Sequence, residues 1–173
     1  MGSLLDAELV ERIRAAVSQA PTANEAVARI VSGLPTELDI SRVGLRVEDA
    51  KLNEIRVAAV WSKWPTDMEA GMTHPTTGTI AENYMTTARS RRSSVRIVRR
   101  DPFLPPPLRE ILSDEGNASG VLIPLLVGDD VPAVLAILSG SEDRFPEEDL
   151  DFYDRLGVAL AGPLLTLAER EGS

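Results

Sequence analysis

The hydrophobic and polar positions at the start of the chain repeat with a helical period. Apolar side chains recur every three or four residues from Leu5 to Val17, and charged residues stand between them. This spacing predicts an amphipathic first helix. Thr22 and Glu25 follow with the spacing of a capping box, which satisfies free backbone amides at a helix start. We therefore predict a second helix that begins after Thr22 and ends near residues 33–35.

The period changes to two beyond residue 40. In residues 42–48 the apolar side chains of Val43, Leu45 and Val47 alternate with Arg42, Gly44, Arg46 and Glu48. Residues 55–61 alternate in a similar way after a short connection. The pattern predicts two half-buried strands that form an antiparallel hairpin.

Two continuous apolar runs, residues 120–127 and 131–138, are joined by a Gly-Asp-Asp connection. Such a connection favours a hairpin, and runs that are apolar on both faces are typical of central strands with both faces covered. Pro124 and Pro132 lie within these runs and demand bulges or strand ends, because proline donates no hydrogen bond to a neighbouring strand.

The sequence between the two hairpins, residues 62–118, is largely irregular. Residues 79–88 predict a short helix and residues 94–98 a short strand. Long connections within compact domains are commonly lids or binding loops. After the second hairpin, the acidic residues 147–149 predict the first turn of a long final helix, which Pro163 should kink.

The order of these elements predicts an α+β fold. We expect a central six-stranded antiparallel sheet, with the N- and C-terminal helices packed on one face and loops and short helices on the other. A chain of 173 residues suits one domain. We expect this domain to run from residue 4 to residue 171, with residues 1–3 and 172–173 introduced by cloning.

Composition and charge narrow the classes of function. The chain has no cysteine, which excludes disulfides, thiolate metal sites, iron–sulfur clusters and thiol catalysis. The formal net charge of −9 repels nucleic-acid phosphates, so we expect no nucleic-acid partner. No basic stretch precedes an apolar run at the N-terminus, and the longest apolar stretch is too short to cross a bilayer. We therefore expect a cytoplasmic protein with no membrane partner.

Three stretches of the sequence resemble the GAF domain, a family of sensory and regulatory modules. Residues 39–45 are similar to its first strand and residues 118–128 to a later strand and turn. Residues 134–138 and 144–150 are similar to its last strand and to the acidic start of its final helix. The resemblance implies a ligand cavity between one face of the sheet and residues 62–120, and a homodimer interface made by the first and last helices. PAS-like, roadblock-like and other profilin-like sensor folds share this arrangement of sheet and helices.

Some members of this family are enzymes or bind known ligands. Free methionine sulfoxide reductases and bilin-attaching members depend on cysteine, which this chain lacks. Members that bind cyclic nucleotides carry an Asn-Lys pair followed by Phe, three residues, Asp and Glu. Here Phe145 and Asp149 keep the spacing, but Leu150 replaces the Glu and no Asn-Lys pair precedes them. We therefore expect no enzyme activity, and the cofactor, if there is one, is unknown.

Candidate ligand-binding residues come from the long connection and its borders. Trp61 and Trp64 could line the mouth of a pocket, and ordinary core packing is the alternative for Trp61. His74 is the only histidine, so it lacks the partners of a metal site, and a solvated loop position is its alternative. The candidate ligand-binding residues are Trp61, Trp64, His74, Thr77, Thr79, Tyr84 and Arg99, with no catalytic residue and no metal ligand assigned.

Arginine residues cluster between Arg89 and Arg100. The cluster can be an edge strand whose charges block edge-to-edge pairing. It can also face acidic groups of the same chain or of a partner, or Arg96 and Arg99 can bind an anionic ligand. Nucleic acid is disfavoured because no aromatic residues interleave with these arginines. The sequence leaves the three alternatives open.

The function that these observations favour is signal sensing. We expect a regulatory domain that binds a small molecule, forms a homodimer through its terminal helices and controls an attached or partner output domain. The alternative is a pure dimerisation or scaffold module whose pocket is degenerate and holds no ligand.

Overall fold

The computed structural model of the protein describes residues 4–49, 51–75, 86–87, 90, 92–98 and 116–172. Within these residues the chain forms three helices of eleven residues or more and an antiparallel sheet. The predicted α+β class is therefore confirmed. The short helix predicted for residues 79–88 lies largely outside the described residues.

The two predicted N-terminal helices are confirmed. Helix α1 spans Ala7–Ser18, and the side chain of Asp6 accepts a hydrogen bond of 2.9 Å from the amide of Leu9. Helix α2 spans Ala23–Gly33, where Thr22 Oγ1 accepts a hydrogen bond of 3.1 Å from the Glu25 amide. Both caps use a short side chain just before the first helical residue, where the backbone amides have no partner within the helix.

The sheet consists of five strands of four to ten residues and one three-residue edge strand. In chain order they are β1 (Ile40–Asp49), β2 (Glu54–Ser62), β3 (Thr73–Pro75), β4 (Val95–Val98), β5 (Ser119–Val127) and β6 (Asp130–Ser139). Their order across the sheet is β3-β2-β1-β6-β5-β4, and every neighbouring pair is antiparallel. Strand β1 therefore lies in the middle of the sheet, between β2 and β6.

The hairpin of β5 and β6 accommodates its two prolines differently. Val131 and Pro132 together oppose Leu126, which is the bulge that Pro132 was expected to need. Pro124 pairs with Val134 without a shift of register. Because β4 pairs with β5 only as far as Leu122, Pro124 lies beyond the end of that pairing, where its missing amide hydrogen costs no bond to β4.

The final helix, α3, spans Leu150–Gly172 and contains Pro163. The acidic residues Glu147–Asp149 form a separate 3-10 turn before it. They were expected in its first turn, so this detail of the prediction is wrong.

All three helices contribute to one large apolar core on one face of the sheet, which we call the helix-side core. It contains Ile13, Val27 and Leu160 from the helices, together with Leu45 and Ile137 from the sheet. The opposite face, called here the loop-side face, carries a smaller cluster of buried residues. Its members are Ile55, Ile97, Leu122, Val131, Val134, Ala136 and Leu138.

Tyr153 is a fully buried member of the helix-side core. Its ring makes edge-on contacts with Phe145 and Phe152, with centroids 5.6 and 5.1 Å apart. Its hydroxyl has no hydrogen-bond partner among the described residues. Burial, with a smaller contribution from the charge of Asp149, raises the pKa of Tyr153 well above its usual range, so the hydroxyl stays neutral.

We expect Tyr153→Phe to raise the free energy of unfolding by about 1 kcal/mol, because the substitution removes a buried hydroxyl that forms no bond. The thermal midpoint should rise by roughly 2–4 °C. Urea unfolding followed by circular dichroism measures the change. Tyr153→Leu is the control, since it also removes the ring and should lower stability. A loss of stability in the phenylalanine variant would contradict the prediction.

Candidate functional site

Two arginine side chains are buried on the loop-side face. Arg42 and Arg46 lie on β1, where they pair across the sheet with Leu138 and Val134 of the loop-side cluster. Their residues are 8% and 6% exposed. The alternating sequence predicts that both arginines lie on the exposed face of a half-buried strand, and this prediction is wrong. Strand β1 has neighbours on both edges and cover on both faces, so its polar positions are buried as well.

The first residues of the long connection contact both arginines. Arg42 Nη2 donates to Thr66 Oγ1 at 3.0 Å, and Arg46 Nη2 lies 3.5 Å from Met68 Sδ, a weak acceptor. The amide of Met68 also donates to Thr66 Oγ1, at 3.2 Å. A short length of chain is thereby placed over both guanidinium groups.

Gly44 separates the two arginines on the same face of β1. A Cβ atom at this position would lie 3.5 Å from Nη1 of Arg46. The guanidinium of Arg46 therefore folds back over Gly44, towards Arg42. The missing side chain at Gly44 leaves space for the guanidinium of Arg46.

Ser41 fastens both ends of the long connection to β1. Its carbonyl accepts from the amide of Lys63 at 2.9 Å, and its hydroxyl donates to Asn117 Oδ1 at 2.6 Å. The register of β1 and β6 shifts between Ile40 and Arg42, which makes Ser41 an extra residue on β1. Residues 64–116, called here the excursion, thus begin and end at one bulge.

Asp39 supports the same end of the sheet. Its Oδ2 accepts from Ser141 Oγ at 2.6 Å and its Oδ1 lies 3.3 Å from Lys63 Nζ. The hydrogen bond from Ser141, together with the charges of Lys63 and Arg144, holds the pKa of Asp39 below its usual range. Asp39 therefore remains a carboxylate at neutral pH and retains Lys63 beside the start of the excursion.

Residues 66–72 continue from the arginines to the edge of β2. The amide of Gly71 donates to the Val57 carbonyl at 2.7 Å, and the amide of Val57 donates to the Met72 carbonyl at 2.8 Å. Strand β3 follows immediately and places Thr73 opposite Arg56. One short segment therefore touches the buried arginines at one end and holds β2 at the other.

Arg56 connects this edge of the sheet to the end of α3. Its Nη2 donates to the Ala168 carbonyl at 2.7 Å, near the C-terminus of the helix, where a cation is favoured. The carboxylate of Glu171 in turn accepts from the amide of Ala23, with both oxygens 3.2 Å away, at the N-terminus of α2. The last turn of α3 is thus held by β2 and by α2.

Of the sequence-predicted ligand residues, the structure describes Trp61, Trp64 and the backbone of His74. Trp61 pairs with Val43 and is half-buried against the helix-side core, which favours the packing role for it. Trp64 is 50% exposed, with Lys63 Nζ 5.2 Å from its ring centroid. The backbone of His74 pairs with that of Ile55 in β3. Thr77, Thr79, Tyr84 and Arg99 lie outside the described residues.

The described arginines of the predicted cluster bind backbone carbonyls of the same chain. Arg92 donates to the carbonyls of Asp129 and Gly128 in the β5–β6 turn, at 2.6 and 3.3 Å. Arg96 lies on the edge strand β4 and its Nε donates to the Phe145 carbonyl at 2.7 Å. The observed contacts favour a structural role for these two residues. Arg89, Arg91, Arg99 and Arg100 are outside the described part of the chain.

Sequence reasoning therefore missed Arg42 and Arg46, the two most buried charged residues in the described part of the chain. One signal could have found them. Two arginines on the same face of a strand become buried when a strand that is apolar on both faces pairs beside it, as β6 pairs with β1. Within the described ranges, no group of three acidic or histidine side chains is arranged to hold a metal ion. In the same ranges, no helix combines the length and the apolar character that a membrane span requires.

Comparison with known proteins finds similarity at the level of the fold. No family model and no curated protein matches the sequence. The GAF domain of a phosphoenolpyruvate-protein phosphotransferase from Acinetobacter is similar over 100% of both chains, with 11% identity and a TM-score of 0.69. The corresponding domain from Coxiella burnetii is similar over 96% of both chains, with 17% identity and a TM-score of 0.68.

The expectation that the chain is not an enzyme does not stand. The free methionine-R-sulfoxide reductase of Neisseria meningitidis, whose structure contains its substrate, is similar over 96% of this chain and 90% of its own. The identity is 17% and the TM-score 0.64. The same fold thus serves an enzyme, and an enzymatic role is open to this chain. The reductases and the phosphotransferase domains share one architecture with it: the chain has the fold of a GAF domain.

Proposed function

We propose that this chain is a regulatory sensing domain. A small molecule binds at the loop-side face, and the structural change that binding causes is transmitted to α3. The fold shared with GAF domains supports the regulatory part of the proposal. The observation that carries the rest is the course of residues 66–72. They contact Arg42 and Arg46 at one end, and at the other they pair with β2 beside Arg56, which holds α3.

A bound molecule would act by moving this segment. A ligand that takes the place of Thr66 or Met68 on the arginines displaces residues 66–68 from the sheet. The backbones of Gly71 and Met72 are hydrogen-bonded to Val57. Val57 is the neighbour of Arg56 in the chain, and Arg56 donates to the Ala168 carbonyl of α3, so the displacement is transmitted to the end of that helix. Coupling of this kind needs a structural element that has two arrangements, and both the ligand site and the output site must change the equilibrium between them. The last turn of α3, held by Arg56 and Glu171, is that element.

The terminal helices are also the proposed homodimer interface. Helix α1 packs against α2 and α3, and these contacts leave some apolar side chains uncovered. Val158 on α3 is 75% exposed, and Leu4 before α1 is exposed as well. A second copy that covers them would place the two α3 helices side by side. The paired helices would then transmit the ligand-bound or ligand-free arrangement of the domain to an output domain.

The proposal is tested by native mass spectrometry and hydrogen exchange on the protein before and after unfolding, dialysis and refolding. We expect freshly purified protein to carry an extra mass that refolded protein lacks. Amides in residues 66–72 and in the last turn of α3 should exchange more slowly when that mass is present. In Arg56→Met the protection of residues 66–72 should persist while that of α3 is lost, since the substitution removes the bond to Ala168.

Arg155→Met is the matched control for this experiment. Arg155 also lies on α3, but its ion pair with Asp151 is exposed, so the protection of both segments should be retained. Equal mass and equal exchange before and after refolding would refute the sensing proposal.

A dimerisation or scaffold module with a filled pocket is the second candidate. The observation that favours it is the closure of the loop-side face, where the apolar cluster and both arginines are buried in this structure. A scaffold carries no extra mass after purification, and its α3 exchanges at the same rate before and after refolding. The same measurements therefore separate the two candidates.

A further inference from the structure

We propose that the cavity between β2, the start of α2 and the last turn of α3 binds a free amino acid, whose carboxylate is held by Arg56 and whose ammonium group is held by Glu171. The inference goes beyond the proposed function, because this cavity lies beside the helices and is a second site, separate from the loop-side face.

The cavity has a volume of about 300 Å³, which is at the lower end of the range for small-molecule pockets. Four polar side chains from three elements line it. Thr22 and Asn24 stand at the start of α2, Arg56 comes from β2, and Glu171 comes from the last turn of α3. A few polar groups that converge on one small concavity are typical of a site that orients a small ligand.

The two charges of the cavity are kept apart. Arg56 and Glu171, both within the described ranges, form no ion pair with one another. Each is held by a backbone group instead. Arg56 Nη2 donates to the Ala168 carbonyl at 2.7 Å, and the Glu171 oxygens lie 3.2 Å from the amide nitrogen of Ala23. The opposite charges are therefore fixed in position before a ligand arrives, which lowers the cost of ordering them on binding.

This pair of charges selects the chemistry of the ligand. A plain anion that approaches Arg56 also brings its charge close to Glu171, and a plain cation has the reverse difficulty. A zwitterion is attracted by both residues, since each of its charges meets an opposite one. An amino acid carries a carboxylate and an ammonium group within a molecule small enough for this volume.

The polar side chains retain hydrogen-bonding capacity for such a ligand. Thr22 Oγ1 accepts from the Glu25 amide, and Asn24 Oδ1 accepts from the Val60 amide at 2.9 Å. No contact among the described residues uses the hydroxyl hydrogen of Thr22 or the Nδ2 hydrogens of Asn24. The cavity therefore offers several donors and one anionic acceptor, which complements the two acceptor oxygens and the single ammonium group of an amino acid.

The remaining residues of the lining are small. They are Ala58, Ala70 and Gly71, which carry no charge and no polar side chain. A charged side chain of the ligand would find no further partner among them. We therefore expect a preference for amino acids with a small or medium apolar side chain.

The test is thermal unfolding of the full chain with glycine, L-alanine, L-valine and L-leucine, each beside its N-acetyl derivative and its amide. At least one of the four should raise the thermal midpoint saturably, and at ten times the dissociation constant the folding equilibrium should shift about tenfold. The N-acetyl derivative lacks the ammonium group and the amide lacks the carboxylate. Each should bind on the order of tenfold more weakly, because it loses a hydrogen bond between charged groups.

Glu171→Gln is the decisive variant. It keeps an oxygen for the Ala23 amide but loses the negative charge, so it should bind the amino acid on the order of tenfold more weakly. Its affinity for the N-acetyl derivative should be unchanged, and a merely structural role of Glu171 would not separate the two ligands. Arg56→Lys keeps a positive charge without the planar fork and should also weaken binding. Glu169→Gln is the matched control, since it makes the same change at an exposed position outside the cavity lining.

Three results would overturn the inference. The first is the absence of a saturable response to all four amino acids, and the second is equal binding of an amino acid and its N-acetyl derivative or amide. The third is an undiminished response in Glu171→Gln and Arg56→Lys, which would place binding elsewhere. The mass and exchange measurements of the sensing proposal use no added amino acid, so the two proposals fail separately.

Discussion

Replacement of Phe145 by alanine is expected to lower the free energy of unfolding by about 3–5 kcal/mol, the range for a fully buried aromatic side chain. Phe145 is 2% exposed and packs edge-on against Tyr153. The residue lies between β6 and α3, and its carbonyl accepts the hydrogen bond of Arg96. Only 4% of the residues are aromatic, so the core has few large side chains that could fill the cavity.

Chemical unfolding in urea, followed by circular dichroism, measures the effect of Phe145→Ala. Val158→Ala is the control, because it truncates an exposed side chain and should change stability by no more than about 0.5 kcal/mol. The slope of the transition should stay the same if both variants unfold in two states. A loss below about 1 kcal/mol for Phe145→Ala would contradict the role given to this residue.

Gly157→Val is expected to cost about 3 kcal/mol, at the upper end of the range for overpacking. Helix α3 approaches β5 closely at Gly157. A Cβ atom there would lie 2.6 Å from Cγ2 of Ile123 and 3.3 Å from the carbonyl oxygen of Pro124. The second of these atoms belongs to the backbone, so it cannot move aside by a change of rotamer. The helix must shift as a whole.

Thr166→Val is the matched control for Gly157→Val. It places the same side chain on the same helix at an exposed position, and it should leave stability nearly unchanged. Thermal unfolding of the two variants measures the difference, which should amount to roughly 6–12 °C. Equal midpoints would mean that α3 can move away from β5 without loss.

The local elements of this fold could be predicted because their signals lie close together in the sequence. Thr22 and Glu25 are three residues apart and mark the start of α2. Gly128 adopts a positive φ of 60° in the turn between β5 and β6, where glycine has no steric cost. In each case the physical cause acts within a few residues, so the sequence pattern is sufficient.

The candidate site could not be predicted in the same way. Arg42 and Arg46 are buried because β1 pairs with β6, whose residues follow some ninety positions later. The alternation along β1 gave no information about this second neighbour. Trp61 raises the same difficulty, since only its register with Val43 shows that it faces the helices. The order of strands across the sheet decides which polar residues are buried, and that order is not a local property.

The attachment of both ends of the excursion to Ser41 makes it an insert with a fixed base. Loop closure depends only weakly on length, and a doubling of length costs only about 0.6 kcal/mol. Segments of different length and composition can therefore be exchanged between Lys63 and Asn117 while β1, β5 and β6 keep their pairing. Replacement of this insert changes the residues that contact Arg42 and Arg46, whereas Arg56 and its bond to Ala168 of α3 lie outside it and are inherited unchanged.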